Sequence, residues 1–226
     1  MQSVVRVSVG ATCLAFALFL PAAAAAQGNQ SIVLRDPDPP GWDVAGYMAW
    51  LTVDNGPGVS AWNRWYDVAT VGASAGRFIG SHVKVEFDAA TSTAADVYVE
   101  HTVTVPTQPY PIFYAQPERL RMTTLSGGVS YQFFDNRWFH PVAGVGVEAA
   151  RETRTIDSPA VGPVLPAAIP LDPPGTTASW QTRPFGSVGF KWFVSERAFI
   201  RSDVRTTFDS AGVAQLSWRT GFGVDF

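Results

Sequence analysis

The chain has 226 residues, a formal net charge of -3 at pH 7 and only 15% charged residues. A charge balance this close to neutral argues against a nucleic-acid partner, and none is expected. Its one cysteine is Cys13, so the chain beyond it can form neither disulfides nor a thiolate site.

Residues 1–26 have the layout of a secretory signal peptide. The basic segment "MQSVVR" precedes the apolar "VSVGATCLAFALFL", and the small residues that follow predict cleavage after Ala26. A transmembrane anchor is the alternative, but the apolar run is short of the roughly 20 residues that a membrane helix needs. Export would remove Arg6 and leave 15 basic and 19 acidic residues, a net charge of -4. Residues 27–40 are predicted to be a periplasmic lead-in.

The rest of the chain alternates between apolar and polar residues with period two, which predicts β-strands. Eight strands are predicted: 42–53, 65–79, 83–92, 119–134, 139–152, 180–194, 198–208 and 214–226. The third is expected to continue through 96–103. Between the third and fourth strands, "PTQPYPIFYAQP" is too rich in proline for a ladder strand. No apolar run of membrane-helix length follows the signal peptide.

The predicted connections alternate in length, which indicates how the strands are arranged. Those after strands one, three, five and seven are mostly long, and those after strands two, four and six have only a few residues. Short turns at one end and longer loops at the other are typical of outer-membrane barrels. We therefore expect residues 41–226 to form an all-β, eight-stranded antiparallel up-and-down transmembrane β-barrel. An even strand number puts both termini on the periplasmic side.

Two orientations of the strand faces are open. A soluble lipid-carrier barrel would turn its apolar face inward, and a membrane barrel would turn it outward. Aromatic residues beside the short turns favour the membrane barrel, because such bands lie at membrane interfaces: Phe133, Phe134, Trp138, Phe139, Trp192 and Phe193. The faces of strand one cannot be assigned from the sequence.

With the polar faces inward, the lumen charges that can be named are balanced. Five are positive and five negative: Lys84, Lys191, Arg201, Arg205, Arg219, Glu86, Asp88, Glu148, Asp203 and Asp225. An eight-stranded barrel is just wide enough for its own side chains to fill, and unpaired charges there would be costly. We predict a plugged, salt-bridged lumen rather than an open pore.

The last residues, "SWRTGFGVDF", resemble the recognition strand that commonly ends outer-membrane β-barrel proteins. The matching positions are Arg219, Gly221, Val224 and Phe226, and Trp218 and Phe222 continue the apolar face. Val224 is aliphatic where an aromatic residue is frequent. The whole layout resembles the small OmpA/OmpX-type eight-stranded barrels. The resemblance implies the outer membrane of a Gram-negative-type envelope, contact with its lipid, and the barrel-assembly machinery as a partner.

No motif points to catalysis, a cofactor or a metal site. Of the three histidines, His82 and His140 are predicted near the short turns and His101 toward the other end, so they are poorly placed to form one metal site. Some eight-stranded outer-membrane barrels, the group that this chain resembles, are lipid A deacylases. His101 beside Glu100 and Thr102 is the only candidate here, and it lacks a recognisable serine motif.

The function expected from the sequence is therefore a structural or surface-interaction (adhesion-like) role carried by extracellular loops. Two proline-rich segments could contact a surface ligand: residues 157–175, and residues 106–117 with Tyr110, Phe113 and Tyr114. Variable loops without a fixed partner are an equal alternative. A narrow outer-membrane pore and a lipid A-modifying enzyme are the alternative functions.

Overall fold

The computed structural model describes residues 41–54, 65–103, 110, 112–134, 138–156 and 173–226. The predicted signal peptide, the lead-in and most of the two proline-rich segments lie outside these residues. Among the described residues, no helix has the length and apolar character needed to cross a membrane.

In the described residues, nine antiparallel strands form one sheet that closes on itself. They are β1 (Trp42–Asp54), β2 (Trp65–Ile79), β3 (Val83–Ser92), β4 (Ala95–Val103), β5 (Ile112–Gln132), β6 (Phe139–Ile156), β7 (Gly175–Phe193), β8 (Ala198–Asp209) and β9 (Gly212–Asp225). Their order is β3-β2-β1-β9-β8-β7-β6-β5-β4, and a pairing of β3 with β5 closes the ring. The predicted all-β, up-and-down barrel with eight strands in the ring is confirmed.

The ninth strand arises because the third wall strand is interrupted. Both β3 and β4 pair with β5, through Thr91 opposite Thr123 and through Ala95 opposite Leu120. Three residues, 92–94, therefore lie opposite two, 121–122. One extra residue in one strand is the arrangement of a β-bulge. The predicted continuation of the third strand through 96–103 is correct.

The expectation that residues 106–117 are too proline-rich to pair is wrong for part of that segment. Strand β5 begins at Ile112, and Pro117 lies opposite Tyr98 of β4. Strand β6 joins β5 only from Arg119 onward, so this part of β5 is a sheet edge. A missing backbone donor is tolerated at an edge, which is why proline can pair there.

Connections differ between the two ends of the barrel. At one end, here called the turn end, residues 80–82 and 194–197 form tight connections and Phe226 ends the chain. The opposite end, the loop end, includes the two-residue connection 210–211 and is where β1, β4 and β6 end. Gly80 has a φ of 82° and Gly212 a φ of 124°, conformations that favour glycine in tight turns.

The apolar faces of the strands point away from the lumen. In β3, Lys84 is 2% exposed and Phe87 is 67% exposed. In β6, Glu148 is 5% exposed and Val145 is 66% exposed. A soluble carrier would have the opposite arrangement, since apolar surface in water is unfavourable. The polar-inward orientation follows, and the carrier alternative is excluded.

Toward the loop end, the lumen also contains apolar side chains. Five buried residues pack into what we call the apolar layer: Leu51, Val53, Val68, Met122 and Ala150. Tyr66 and Ala95 pack against this layer. These buried apolar side chains are not predicted from the sequence, so this layer is a structural finding.

Candidate functional site

The polar faces of six strands meet in the lumen and form one connected set of ion pairs, here called the lumen network. Its eleven members alternate in charge along the series Asp225, Lys191, Asp43, Lys84, Glu86, Arg201, Asp203, Arg219, Asp88, Arg205 and Glu148. Six carboxylates and five cations give a formal charge of -1. The structure brings all ten sequence-predicted lumen charges into this network.

At the turn end, two lysines hold three carboxylates together: Asp225, Asp43 and Glu86, the last 2.6 Å from the Lys84 Nζ. The Lys191 Nζ lies 2.6 Å from Asp225 Oδ1 and 3.3 Å from Asp43 Oδ2, and the Lys84 Nζ lies 2.8 Å from the same Asp43 oxygen. Lys191 is 1% exposed, and its Nζ is 3.9 Å from the centroid of the Phe199 ring. A buried ammonium between carboxylates and an aromatic face has little access to water.

In the middle, ion pairs cross the full width of the barrel. Glu86 Oε2 accepts a hydrogen bond of 2.6 Å from Arg201 Nη1. Their strands, β3 and β8, are four steps apart around a ring of eight, which is diametrically opposite. Arg201 Nε also donates to Asp203 Oδ2 at 2.9 Å, so its guanidinium joins two carboxylates. These contacts connect opposite walls through the centre of the lumen.

Asp88 is the acceptor around which the loop-end half of the network is built. It accepts from Arg219 Nη1 at 2.9 Å, from the Tyr47 hydroxyl at 2.8 Å and from Ser126 Oγ at 3.3 Å. Arg205 lies 3.6 Å from Asp88 and 3.5 Å from Glu148, and its guanidinium is 4.1 Å from the Phe185 ring centroid. A carboxylate with several donors in a narrow lumen satisfies the requirement that buried charges be paired.

Two members of this site were missed from the sequence because the faces of strand one could not be assigned. Asp43 is 3% exposed and is the sixth carboxylate of the lumen network. Tyr47, four residues on, is on the same face and donates to Asp88. Their spacing of four is even, so a strand period of two would have put them together. The missing information was which of the two faces points inward.

Little free space remains in the lumen. A cavity of about 30 Å³ lies beside Asp88, Arg205 and Leu51, and two of about 10 Å³ lie next to Arg201. A single water molecule needs roughly 10–15 Å³ by this measure, so these cavities have room for isolated waters but not for a continuous column.

Beyond the apolar layer, a separate group of ion pairs lies at the loop end. Arg154 contacts Glu118 at 3.3 Å and Glu152 at 2.5 Å. Arg183 lies 3.9 Å from Asp209 and also donates a hydrogen bond to Gln181. The side-chain exposure of Arg154 is 36%, against 6% for Arg219 of the lumen network. This group therefore lies at the mouth of the lumen rather than inside it.

The residues of the predicted assembly signal lie on both faces of β9 and at Phe226, directly after its end. Four face outward and are exposed: Trp218, Phe222, Val224 and Phe226. Gly221 is on the lumen face, where an added Cβ would come within 2.6 Å of the Tyr47 Cβ. Phe226 exchanges two backbone hydrogen bonds of 2.9 Å with Trp42, so the last residue joins the first strand and helps to close the barrel.

Exposed aromatic residues form a band at each end of the barrel. The turn-end band contains Trp42, Phe133, Phe134, Trp138, Trp192 and Phe226. The loop-end band contains Trp50, Trp65, Tyr98 and Trp180. The sequence predicts Phe193 in the outer band, but its ring lies inside, 4.9 Å from the Lys191 Nζ. Two aromatic bands flanking an apolar surface are typical of barrels that cross a bilayer.

The histidines take separate positions. The Nδ1 atoms of His82 and His140 lie 3.0 Å and 3.1 Å from the carbonyl oxygens of Gln132 and Phe134 at the turn end. His101 belongs to β4, and its side chain lies outside what is described. Across the described residues, no three His, Cys, Asp or Glu side chains are grouped as metal ligands.

No family model matches the chain. No curated protein matches it either. Among solved structures, it is similar to Neisserial surface protein A, with 12% sequence identity and a TM-score of 0.56 over 82% of this chain and 97% of that one. It is also similar to the outer membrane protein OprG of Pseudomonas aeruginosa, with 13% identity and a TM-score of 0.53 over 83% and 96% of the two chains.

The N-terminal β-barrel domain of Pseudomonas aeruginosa OprF gives 11% identity and a TM-score of 0.51 over 84% of this chain and 100% of that one. At these identities the similarity establishes the fold. The chain therefore has the fold of the small eight-stranded outer-membrane β-barrels.

Proposed function

We propose that the chain is a small outer-membrane barrel with a closed lumen, and that it has a structural or surface-interaction role carried by its loops. The observation that carries this proposal is the lumen network, whose ion pairs join opposite walls through the centre of the barrel. The apolar layer fills the lumen above it. A filled interior leaves the loops and the outer surface as the places where partners can bind.

The location in the outer membrane is supported by the outside of the barrel. An exposed apolar surface lies between two aromatic bands, the arrangement that lipid requires. Signal-peptide export, periplasmic termini and recognition of the β9 signal by the barrel-assembly machinery belong to the same proposal. The proline-rich segments 106–117 and 157–175 are the proposed sites for a surface ligand.

The first test is gel mobility of the detergent-extracted protein before and after boiling. A folded barrel resists detergent and migrates differently until heated, so we expect two positions. Deleting Phe226 removes its hydrogen bonds to Trp42 and the end of the signal, and both the shift and the outer-membrane fractionation should be lost. A soluble protein with one heat-independent band would contradict the proposal.

A second test separates a closed barrel from a narrow pore. Arg201→Glu places like charges beside Glu86 and Asp203, which should disrupt the centre of the lumen network. Conductance is measured in planar bilayers for the wild type, for this variant and for Lys84→Glu. We expect a closed wild-type barrel; steady ion-selective conductance from it would favour the pore.

We further propose that the chain is not an enzyme. The contacts of His82 and His140 with backbone carbonyls support structural roles for these two side chains. The remaining candidate, His101 with Glu100 and Thr102, is tested by overexpressing the wild type and His101→Ala and analysing lipid A by mass spectrometry. Identical, unmodified lipid A in both is expected. A lipid species lost in the variant would contradict this part of the proposal.

A further inference from the structure

The outward faces of β5 and β6 change from apolar to polar at the same register position. Leu125, opposite Ala149, belongs to the last apolar pair and is 52% exposed. The next outward pair toward the loop end is Thr123 opposite Arg151. Because paired residues on neighbouring strands lie side by side, this step marks the local edge of the apolar belt.

Two arginines lie on this outward face just beyond the edge. Arg121 and Arg151 are both exposed, and neither makes a hydrogen bond, ion pair or ring contact in the part of the chain that the structure describes. Arg121 is opposite Thr153 and Arg151 opposite Thr123, so they are diagonal neighbours, about 7–8 Å apart. A third arginine, Arg119, is on the same face of β5.

The position of the two arginines differs from that of every network cation described above. The lumen cations are buried against carboxylates. Arg119, outside the lumen, also has a carboxylate partner, Asp96, at 3.2 Å. Trp180, directly opposite Arg151 on β7, is 60% exposed and belongs to the loop-end aromatic band. Aromatic side chains of this kind lie at the depth of lipid headgroups. The two arginines are therefore at headgroup depth without a partner among the described residues.

The guanidinium group suits one class of headgroup. It presents donors in a fixed planar fork that matches the oxygens of a phosphate, and it stays charged at any physiological pH. Two such forks on diagonally neighbouring residues can hold two phosphates, or one phosphate between them. The hydroxyls of Thr123 and Thr153 lie beside them in the register and add neutral donors.

We propose that Arg121 and Arg151 bind the phosphorylated headgroup of a membrane lipid in the leaflet at the loop end. The inference rests on the proposed function, because it requires the barrel to span a membrane. The acyl chains of that lipid lie against the apolar face of the same two strands. There, a groove of about 590 Å³ lined by Val129, Val145 and Val188 extends toward the turn end.

In the described strands, no second pair of exposed outward arginines without a contact lies along this edge, so the patch is local. On β1 and β2 the outward residues near the loop end include Thr52, which donates to Asp67 at 2.6 Å. The exposed Arg77 lies at the turn end and is 5.4 Å from the centroid of the Trp42 ring. Arg77 is a matched control, since it is an exposed outward arginine at the other end of the barrel.

The test measures the binding of a diphosphorylated glycolipid, lipid A in detergent micelles, to the folded protein by titration of tryptophan fluorescence. The double variant Arg121→Gln with Arg151→Gln should bind about tenfold more weakly or worse, because it loses the charge-assisted hydrogen bonds. Arg77→Gln should bind within about twofold of the wild type. Inorganic pyrophosphate serves as the phosphate probe without acyl chains and should bind far more weakly.

Each failure has its own signature. Equal binding by the double variant and the wild type would overturn the inference, and so would pyrophosphate binding as tightly as the lipid. Every sample is first checked for the heat-dependent gel shift. Loss of that shift in the wild type would mean that the proposed barrel itself is wrong, whereas a normal shift without arginine-dependent lipid binding rejects only this site.

Discussion

The inside and the outside of this barrel are built from the same strands, but the inside is charged and buried and the outside is apolar and exposed. In the lumen, charged side chains are buried and paired in one alternating network, with Lys84 at 2% exposure. Outside, apolar side chains such as Met48 are exposed, at 72%. The two surfaces are one residue apart along each strand. Burial of charge therefore depends on the presence of a partner, and exposure of apolar surface depends on lipid.

The largest expected effect comes from removing Asp88, the acceptor at the centre of the loop-end half of the network. Asp88→Ala leaves Arg219 and Arg205 without a carboxylate that each now contacts. Breaking a buried ion pair by removing one partner costs about 3–5 kcal/mol of unfolding free energy. The measurement is urea unfolding of the protein in lipid vesicles. A loss below about 1 kcal/mol, the size of an exposed pair, would show that the network is solvated.

A change in the apolar layer tests whether this part of the lumen is close-packed. Leu51 is 5% exposed and packs with Val53 and Met122. Leu51→Ala removes buried methyl groups and leaves a cavity, so we expect a loss of about 2–5 kcal/mol in the same assay. Leu51→Met keeps the volume and should lose less than about 1.5 kcal/mol. Equal losses for the two variants would mean that the layer is not close-packed.

A charge placed on the outside tests the lipid-facing surface. Val145 is 66% exposed in the middle of β6, and Val145→Arg should destabilise the barrel by about 2–4 kcal/mol in vesicles if this face lies in the bilayer core. Thr123→Arg, at the edge of the apolar belt, should cost about 0–1 kcal/mol. The difference between the two positions locates the membrane boundary, and no difference would contradict it.

The smallest expected effect concerns an ion pair outside the lumen. Asp96 and Arg119 lie 3.2 Å apart, with side-chain exposures of 75% and 56%. Asp96→Ala should change the unfolding free energy by less than about 1 kcal/mol, because water screens the pair. The comparison with Asp88→Ala uses the same substitution in the same protein. A large effect at Asp96 would remove the distinction between the two surfaces.

Much of the fold could be predicted from the sequence because strand periodicity is local. The bounds of β2 agree with the predicted 65–79, and Lys84, Glu86 and Asp88 alternate with apolar residues in β3 as expected. Where a segment had conflicting signals, the prediction failed. The prolines of residues 106–117 predict a loop, but Pro117 lies at the sheet edge of β5, where a proline can pair.

The sequence by itself determined which residues can share a face, since side chains alternate along any strand. Only the tertiary structure decided which charges meet. Glu86 pairs with Arg201, 115 positions away, because barrel closure puts β3 and β8 on opposite walls. Asp43 belongs to the network because its face of β1 points into the lumen, which the sequence of β1 does not show. Contacts across a lumen depend on strand register and ring closure, and neither is encoded in the period of a single strand.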